Sequence, residues 1–171
     1  MMEATSSSNT LQLLGIIRRN AAAMDRLITD LLDVERMSAG KLKMQRSIET
    51  VNGLFEECND IFGGLATKKS IKFVAQVVDG PLNAQIDRDR ILQVLSNLVS
   101  NALKYTPVGG SISVKAIRVG AHIEVSVTDT GIGIELSEQS RIFDKFSQLG
   151  KNDRRGLGLG LHISKWIVEA H

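Results

Sequence analysis

Three groups of residues in this chain have the types and spacing to hold a phosphorylated ligand. The first is an amide pair. Asn97 and Asn101 lie four residues apart, so on a helix their side chains leave the same face one turn apart. Lys104 and Tyr105 follow within the next turn. Two stacked amides running into a cation suit a hydrated metal and phosphates; read from this helix alone, an ordinary polar stripe on an amphipathic helix is the favoured reading. The second group is Asp129, which ends an alternating apolar run and precedes Gly131 and Gly133. A carboxylate there can accept a hydrogen bond from an exocyclic amine such as that of adenine, or it can cap its own turn. The third is Gly156-Leu157-Gly158-Leu159-Gly160-Leu161, at the entry to an apolar helical stretch. Glycine lets a backbone approach a phosphate, and the free amides of a helix N-terminus favour an anion. Packing of a helix on a sheet also selects glycine. Each group is ambiguous alone; together they are the parts of a nucleotide site.

Two familiar nucleotide motifs do not fit. The last glycine turn lacks the Gly-Lys-Ser/Thr of a P-loop. It also does not follow a strand in a parallel βαβ unit, as a dinucleotide fold requires.

The elements that must position these groups follow from periodicity. Residues 1–8 are polar and serine-rich and read as a flexible start. From about Asn9 to Ala39, Leu14, Ile17, Ala21, Met24, Ile28 and Leu31 recur in steps of three and four, a heptad seam suited to self-association. Gly40 is the expected C-cap. Leu42 and Met44 alternate within Lys41–Arg46 as in a short edge strand. Thr50 to Thr67 has a helical stripe, Ile71 to Val78 reads as a strand, and Asn83 to Ile86 as a shorter one. Asp87 is a plausible N-cap for the helix that carries the amides and stops at Thr106-Pro107. Ser111–Val119 and His122–Thr128 alternate around Gly120-Ala121 as a hairpin. Glu135–Phe146 reads as a short helix or turn, Ser147–Arg155 as a polar connection, and Gly156–His171 as a last helix. The expected fold is α+β, a two-layer sandwich with helices on one face of a mixed, mostly antiparallel sheet. Residues 41–171 would form that domain behind the long helix of residues 9–40.

Composition narrows the function. A net charge of +2 over 171 residues, with 4% aromatics, gives no footprint for nucleic acid. No apolar run reaches the roughly 18 residues of a membrane span. Cys58 is the only cysteine, and His122, His162 and His171 are scattered, so no chelating cluster is visible.

From Asn97 onward the chain closely resembles the ATP-binding domain of sensor histidine kinases, in the superfamily that also holds gyrase, the MutL mismatch-repair protein and the large heat-shock chaperones. Asn97 to Thr106 matches the family's N box. Asp129-Thr130-Gly131-Ile132-Gly133 matches the first glycine box, Ile142-Phe143-Asp144-Lys145-Phe146 the F box, and Gly156 to Leu161 the second glycine box. Met24 to Gly40 looks like the second helix of the family's dimerisation and histidine-phosphotransfer hairpin. The resemblance implies ATP and Mg²⁺ as ligands. It makes Asn101 a metal ligand assisted by Asn97, and places Lys104 and Tyr105 at phosphates or the nucleotide edge. Asp129 would bind the adenine amine in a pocket shaped by Gly131 and Gly133. Phe143 and Phe146 would anchor the lid, which is Ser147–Arg155. Gly156, Gly158, Gly160 and Leu161 would form the phosphate turn. Asn97 and Lys104 would be the catalytic positions.

One position separates two reaction types. In the family's ATP-hydrolysing relatives a glutamate commonly stands four residues before the metal asparagine and acts as general base. Here that residue is Asn97, and an amide takes no proton at neutral pH. This favours phosphoryl transfer over hydrolysis. Three departures stand beside the match. No histidine sits in the family's acceptor context, Leu157 replaces the usual Thr or Ser, and the strands that complete the family's sheet are missing after His171. The expected protein is a cytoplasmic catalytic fragment without its own acceptor histidine. It would be a homodimer through its first helix, with a response-regulator receiver domain as downstream partner. Neither nucleic acid nor a membrane is an expected contact. A hydrolase of the same superfamily and a non-catalytic dimerisation module are the alternatives.

Overall fold

The computed structural model describes the backbone of residues 2–148 and 157–171, and the side chains of 13–18, 20–148 and 157–171. The first helix, α1, spans Met2–Ser38. It begins well before Asn9, so the serine-rich start is helical rather than loose. Extending an existing helix adds one hydrogen bond per residue fixed, which a weak composition does not prevent. The helix ends in a Schellman turn. Gly40 adopts φ 63°, its N–H donates to the Met37 carbonyl at 3.0 Å, and the Lys41 N–H donates to Arg36 at 2.8 Å.

Leu14, Ile17, Met24, Ile28 and Leu31 all remain exposed along α1. Among the described residues, α1 meets the rest of the chain through its C-terminal end, at Asp33, Val34, Met37 and Ser38. Val34 and Met37 are buried there, with Leu42 and Met44, against Val94, Leu159, Ile163 and Ile167. Residues 41–46 are not a strand. Their alternation is real, since Leu42 and Met44 point inward, but helices cover them instead of a sheet edge. The strand β1 follows, at Ser47–Thr50.

The remaining elements are α2 (Val51–Lys68), β2 (Lys72–Val77), β3 (Asn83–Ile86), α3 (Arg88–Tyr105), β4 (Ser111–Val119), β5 (His122–Asp129), α4 (Leu136–Gln139) and α5 (Gly160–Glu169). β1 and β3 form an antiparallel pair. A second sheet has the order β2-β4-β5, with β2 parallel and β5 antiparallel to β4. Two of the three pairings are therefore antiparallel, and the α+β sandwich stands. Ile112, Val114 and Ala116 of β4 face the helices and are buried. They pack with Leu54, Phe55 and Cys58 of α2 and Val99, Ala102 and Leu103 of α3. Burial also pushes the Cys58 thiol up to about 11, which removes it as a nucleophile.

Asp87 starts α3 and ties it down. Its carboxylate accepts from the Arg90 N–H at 3.2 Å and from the Gln45 N–H at 2.8 Å. Three residues into α3, Arg90 donates to Asp33 of α1 at 2.5 Å, and Gln93 donates to the same oxygen at 3.1 Å. Asp33 is only 2% exposed, so its charge is neutralised within the contact between the two helices. Arg90→Ala is expected to leave that carboxylate with Gln93 alone. The loss should be about 2 kcal/mol, below a fully broken buried pair because one donor remains. Hydrogen exchange checks it: amides of residues 34–44 should exchange at least roughly tenfold faster, while those of β4 keep their protection.

Candidate nucleotide-binding site

α3 buries Val94, Leu95, Val99, Ala102 and Leu103, and this stripe fixes where its polar residues point. Asn97, Asn101, Lys104 and Tyr105 are all half-buried along its edge. Asn97 turns toward α5. Its Nδ2 donates to Ser164 Oγ at 2.9 Å, and its Oδ1 would lie 2.2 Å from a Cβ at Gly160. Lys104 Nζ sits 4.9 Å from the centroid of the Tyr105 ring, a cation–π contact that holds the ammonium at the end of the helix.

The first glycine turn closes on the same helix. Asp129 is the last residue of β5 and pairs with Ile112. Its Oδ1 accepts from the Gly131 N–H at 2.7 Å, so the carboxylate is oriented while remaining exposed. A Cβ on Gly131 would stand 2.6 Å from that oxygen and 2.8 Å from the Tyr105 carbonyl oxygen. Only glycine allows the turn to lie against the end of α3. Thr130 continues the ladder beyond β5, with its N–H donating to Ser111 O at 3.1 Å and its hydroxyl accepting from Ser111 N–H at 2.9 Å. Gly133 has φ 70° and open space around it.

The other two motifs also meet. Phe146 takes φ 63° and is 61% exposed. A Cβ on Gly158 would come within 2.5 Å of the Ser147 carbonyl oxygen. Gly158 therefore lets the backbone after it pack on the F box, a constraint that its place in a phosphate turn does not reveal. His162 Nδ1 donates to the Phe143 carbonyl at 3.0 Å, which fixes the proton on that nitrogen. Lys165 Nζ lies 5.9 Å from the Phe143 ring. Leu159 is buried, and Leu161 is half-buried at the start of α5. Gly156 and most of the expected lid, residues 149–155, lie outside the described residues. A cavity of about 450 Å³ lies beyond Phe143, between Lys145, His162, Lys165 and Trp166. The F box lines it through Phe143, Asp144 and Lys145, but none of Asn97, Asn101 or Asp129 does.

The donor set fits Mg²⁺. Among the described residues no three His, Cys, Asp or Glu side chains group to hold a metal. Amide oxygens at Asn97 and Asn101 are hard donors, and Mg²⁺ fills the rest of its shell with waters and phosphate oxygens. The structure adds two partners that the motifs alone did not supply, Ser164 and Tyr105 O. Ser164 had a signal in the sequence, since it stands four residues after Gly160 and so shares its helix face.

The chain belongs to the histidine kinase-, DNA gyrase B- and HSP90-like ATPase family, which it matches over residues 86–171. Among its relatives is the adaptive-response sensory kinase SasA of Synechococcus sp. (strain JA-3-3Ab), 38% identical over 166 residues. That match covers 94% of this chain, and the chain spans 43% of the relative's length. Full-length ShkA in complex with AMPPNP superposes with a TM-score of 0.75 at 27% identity, over 85% of this chain and 30% of that one. Histidine kinase ThkA in complex with the response regulator TrrA gives 0.66 at 26% identity, over 86% and 42%. The fold and motifs are those of a histidine kinase ATP-binding catalytic domain.

The two glycines of the first box should differ on substitution. Gly131→Ala forces a Cβ into a carbonyl and into Asp129, a clash of about 1–3 kcal/mol. Gly133→Ala meets no atom and carries only the left-handed backbone penalty, about 1–2 kcal/mol. Thermal melts should show both losses. Nucleotide affinity should fall chiefly in Gly131→Ala, because only there is the carboxylate displaced.

Proposed function

We propose that this chain binds ATP with Mg²⁺ along α3 and serves as the phosphoryl-donating part of a sensor histidine kinase. One observation carries the reading: both glycine turns close on one helix. Gly131 rests on the carbonyl of Tyr105, and Gly160 rests on the amide of Asn97. These positions are eight residues apart, about 12 Å along the axis. That separation matches a nucleoside triphosphate with its base at Asp129 and its phosphates at the start of α5.

Asp129 Oδ1 is held by Gly131, which aims the carboxylate at an exocyclic amine. Lys104 brings a positive charge to the Tyr105 end of the site, at the nucleotide edge, and Asn101 and Asn97 offer oxygens to the metal. When bound, Mg²⁺ neutralises charge on the β- and γ-phosphate oxygens. The chain's own residues position the nucleotide and hold its charge; Asn97, where the hydrolysing relatives carry a glutamate, cannot deprotonate water. That favours transfer to a histidine nucleophile over hydrolysis.

The described histidines do not supply the acceptor. His122 is on β5, and His162 is engaged by Phe143. His171 uses both ring nitrogens: Nδ1 donates to Ile167 O at 2.7 Å and Nε2 accepts from the Asp87 N–H at 3.0 Å. The acceptor is then a histidine of a dimerisation hairpin, and the final recipient an aspartate on a response-regulator receiver domain. ThkA was solved with such a regulator. The exposed seam of α1 pairs two copies in a helical bundle. No described helix is long and apolar enough to cross a membrane, and the site works in the cytoplasm, where ATP is supplied.

Calorimetric titration with a non-hydrolysable ATP analogue tests the site. Binding should strengthen with Mg²⁺ and lose that dependence in Asn101→Ala. Asp129→Asn should weaken adenine nucleotides by about tenfold to a hundredfold, the worth of one hydrogen bond to a charged group. No binding at millimolar nucleotide defeats the proposal. The dimer has its own test. Ile28 is 56% exposed on the seam, and Ile28→Asp should convert the sedimenting species from dimer to monomer.

A further inference from the structure

Ser164 lies on α5 outside the four motifs, yet it touches the phosphate end of the site. It is only 5% exposed, and a buried hydroxyl needs a partner. Its partner is Asn97, whose Nδ2 donates to Ser164 Oγ at 2.9 Å. Gly160, one turn earlier on the same face of α5, makes room for the other end of that amide. A Cβ there would lie 2.2 Å from Asn97 Oδ1 and 2.7 Å from Cγ. Asn97 is thus clamped between a hydroxyl and a bare backbone.

The two ends of an amide are chemically opposite. Oδ1 can bind a cation or its water; the Nδ2 hydrogens repel one. A half-turn of the side chain would exchange them with almost no change of shape. With Nδ2 engaged by Ser164, Oδ1 is the end left at the N-terminus of α5, where Gly160 begins the helix. The same bond makes the orientation conditional on α5 lying in register on α3.

We propose that Ser164 is a positioning residue that fixes the plane of the Asn97 amide in the arrangement seen here, with Nδ2 on the hydroxyl and the oxygen left for Mg²⁺ and the phosphates. The proposal rests on the nucleotide reading above. Its consequence is that α5 must be docked before the metal end of the site is complete.

The measurement is the ratio of affinities for a non-hydrolysable ATP analogue with and without Mg²⁺, taken on the full chain. A general loss of stability lowers both affinities and leaves the ratio alone. Ser164→Ala should reduce the ratio by about tenfold, the usual effect of removing a residue that orients a metal ligand. Ser164→Cys keeps the volume but offers a weak acceptor, and should show the same loss; Ser164→Thr should restore the ratio. In an Asn97→Ala background, Ser164→Ala should have no further effect. An unchanged ratio in Ser164→Ala or Ser164→Cys overturns the proposal, as does an equal loss without Asn97. If the unsubstituted chain shows no Mg²⁺ dependence, the reading of the site fails first and this proposal with it.

Discussion

The close approach of two glycine turns to α3 is the constraint on which the site depends. A methyl group at residue 131 would strike the Tyr105 carbonyl, and one at residue 160 would strike the Asn97 amide. Neither contact is a strong attraction. Each is a place where the absence of atoms lets a turn reach a helix. The attraction comes from elsewhere: Val99, Ala102 and Leu103 press α3 onto Ile112 and Val114, and Leu159, Ile163 and Ile167 bring α5 against Val94. Core packing of this kind has a steep distance dependence. The helix is thereby held close enough for the glycines to matter.

This arrangement explains how a site can rely on amides. A carboxylate at position 97 would carry a charge into the seam between α3 and α5, beside a serine that is almost wholly buried. Desolvation would oppose that charge and lift its pKa. An amide fits the same seam as a neutral group and satisfies Ser164 with a hydrogen bond. The residue that, on the proposed reading, disfavours hydrolysis is also the residue that the packing accepts. Local structure and chemistry agree at this position, as they do in a consistent sequence.

Much of this was legible in the residues, and the failures have a common cause. The amide pair, Asp129, the glycine turns and the order of elements are all local patterns, and the structure places Gly131 against Tyr105 and Gly160 against Asn97. Lys41–Arg46 misled because alternation records which side chains are covered, not what covers them. Leu42 and Met44 are covered by helices. Residues 2–8 misled because composition is a poor guide to the end of a helix that already exists. Gly158 shows the same limit from another side. Its φ of 70° could be suspected from a glycine-rich turn, but its contact with Ser147 is made across a gap in sequence. The Arg90–Asp33 pair spans an even longer one. Motifs report what a residue can do; partners distant in sequence decide which of its uses is taken.

The end of α1 shows how opposing terms can meet in one joint. Val34 and Met37 favour docking by burial, and Asp33 is neutralised by Arg90. Asp30, one turn before Asp33, works against them. Burial holds its carboxyl above the usual range, Asp33 raises it further, and Arg26 offsets part of the rise. A raised folded-state pKa means that the protonated form is the one docking favours. Its contribution is complete below the ordinary carboxylate range and disappears as pH rises through the raised value. Once ionised, Asp30 therefore opposes a contact that apolar burial and one ion pair maintain. The helix packs on the rest of the chain near its C-terminal end, while its long seam stays exposed. The proposed second copy would therefore meet different residues of α1 from those that hold it to its own chain.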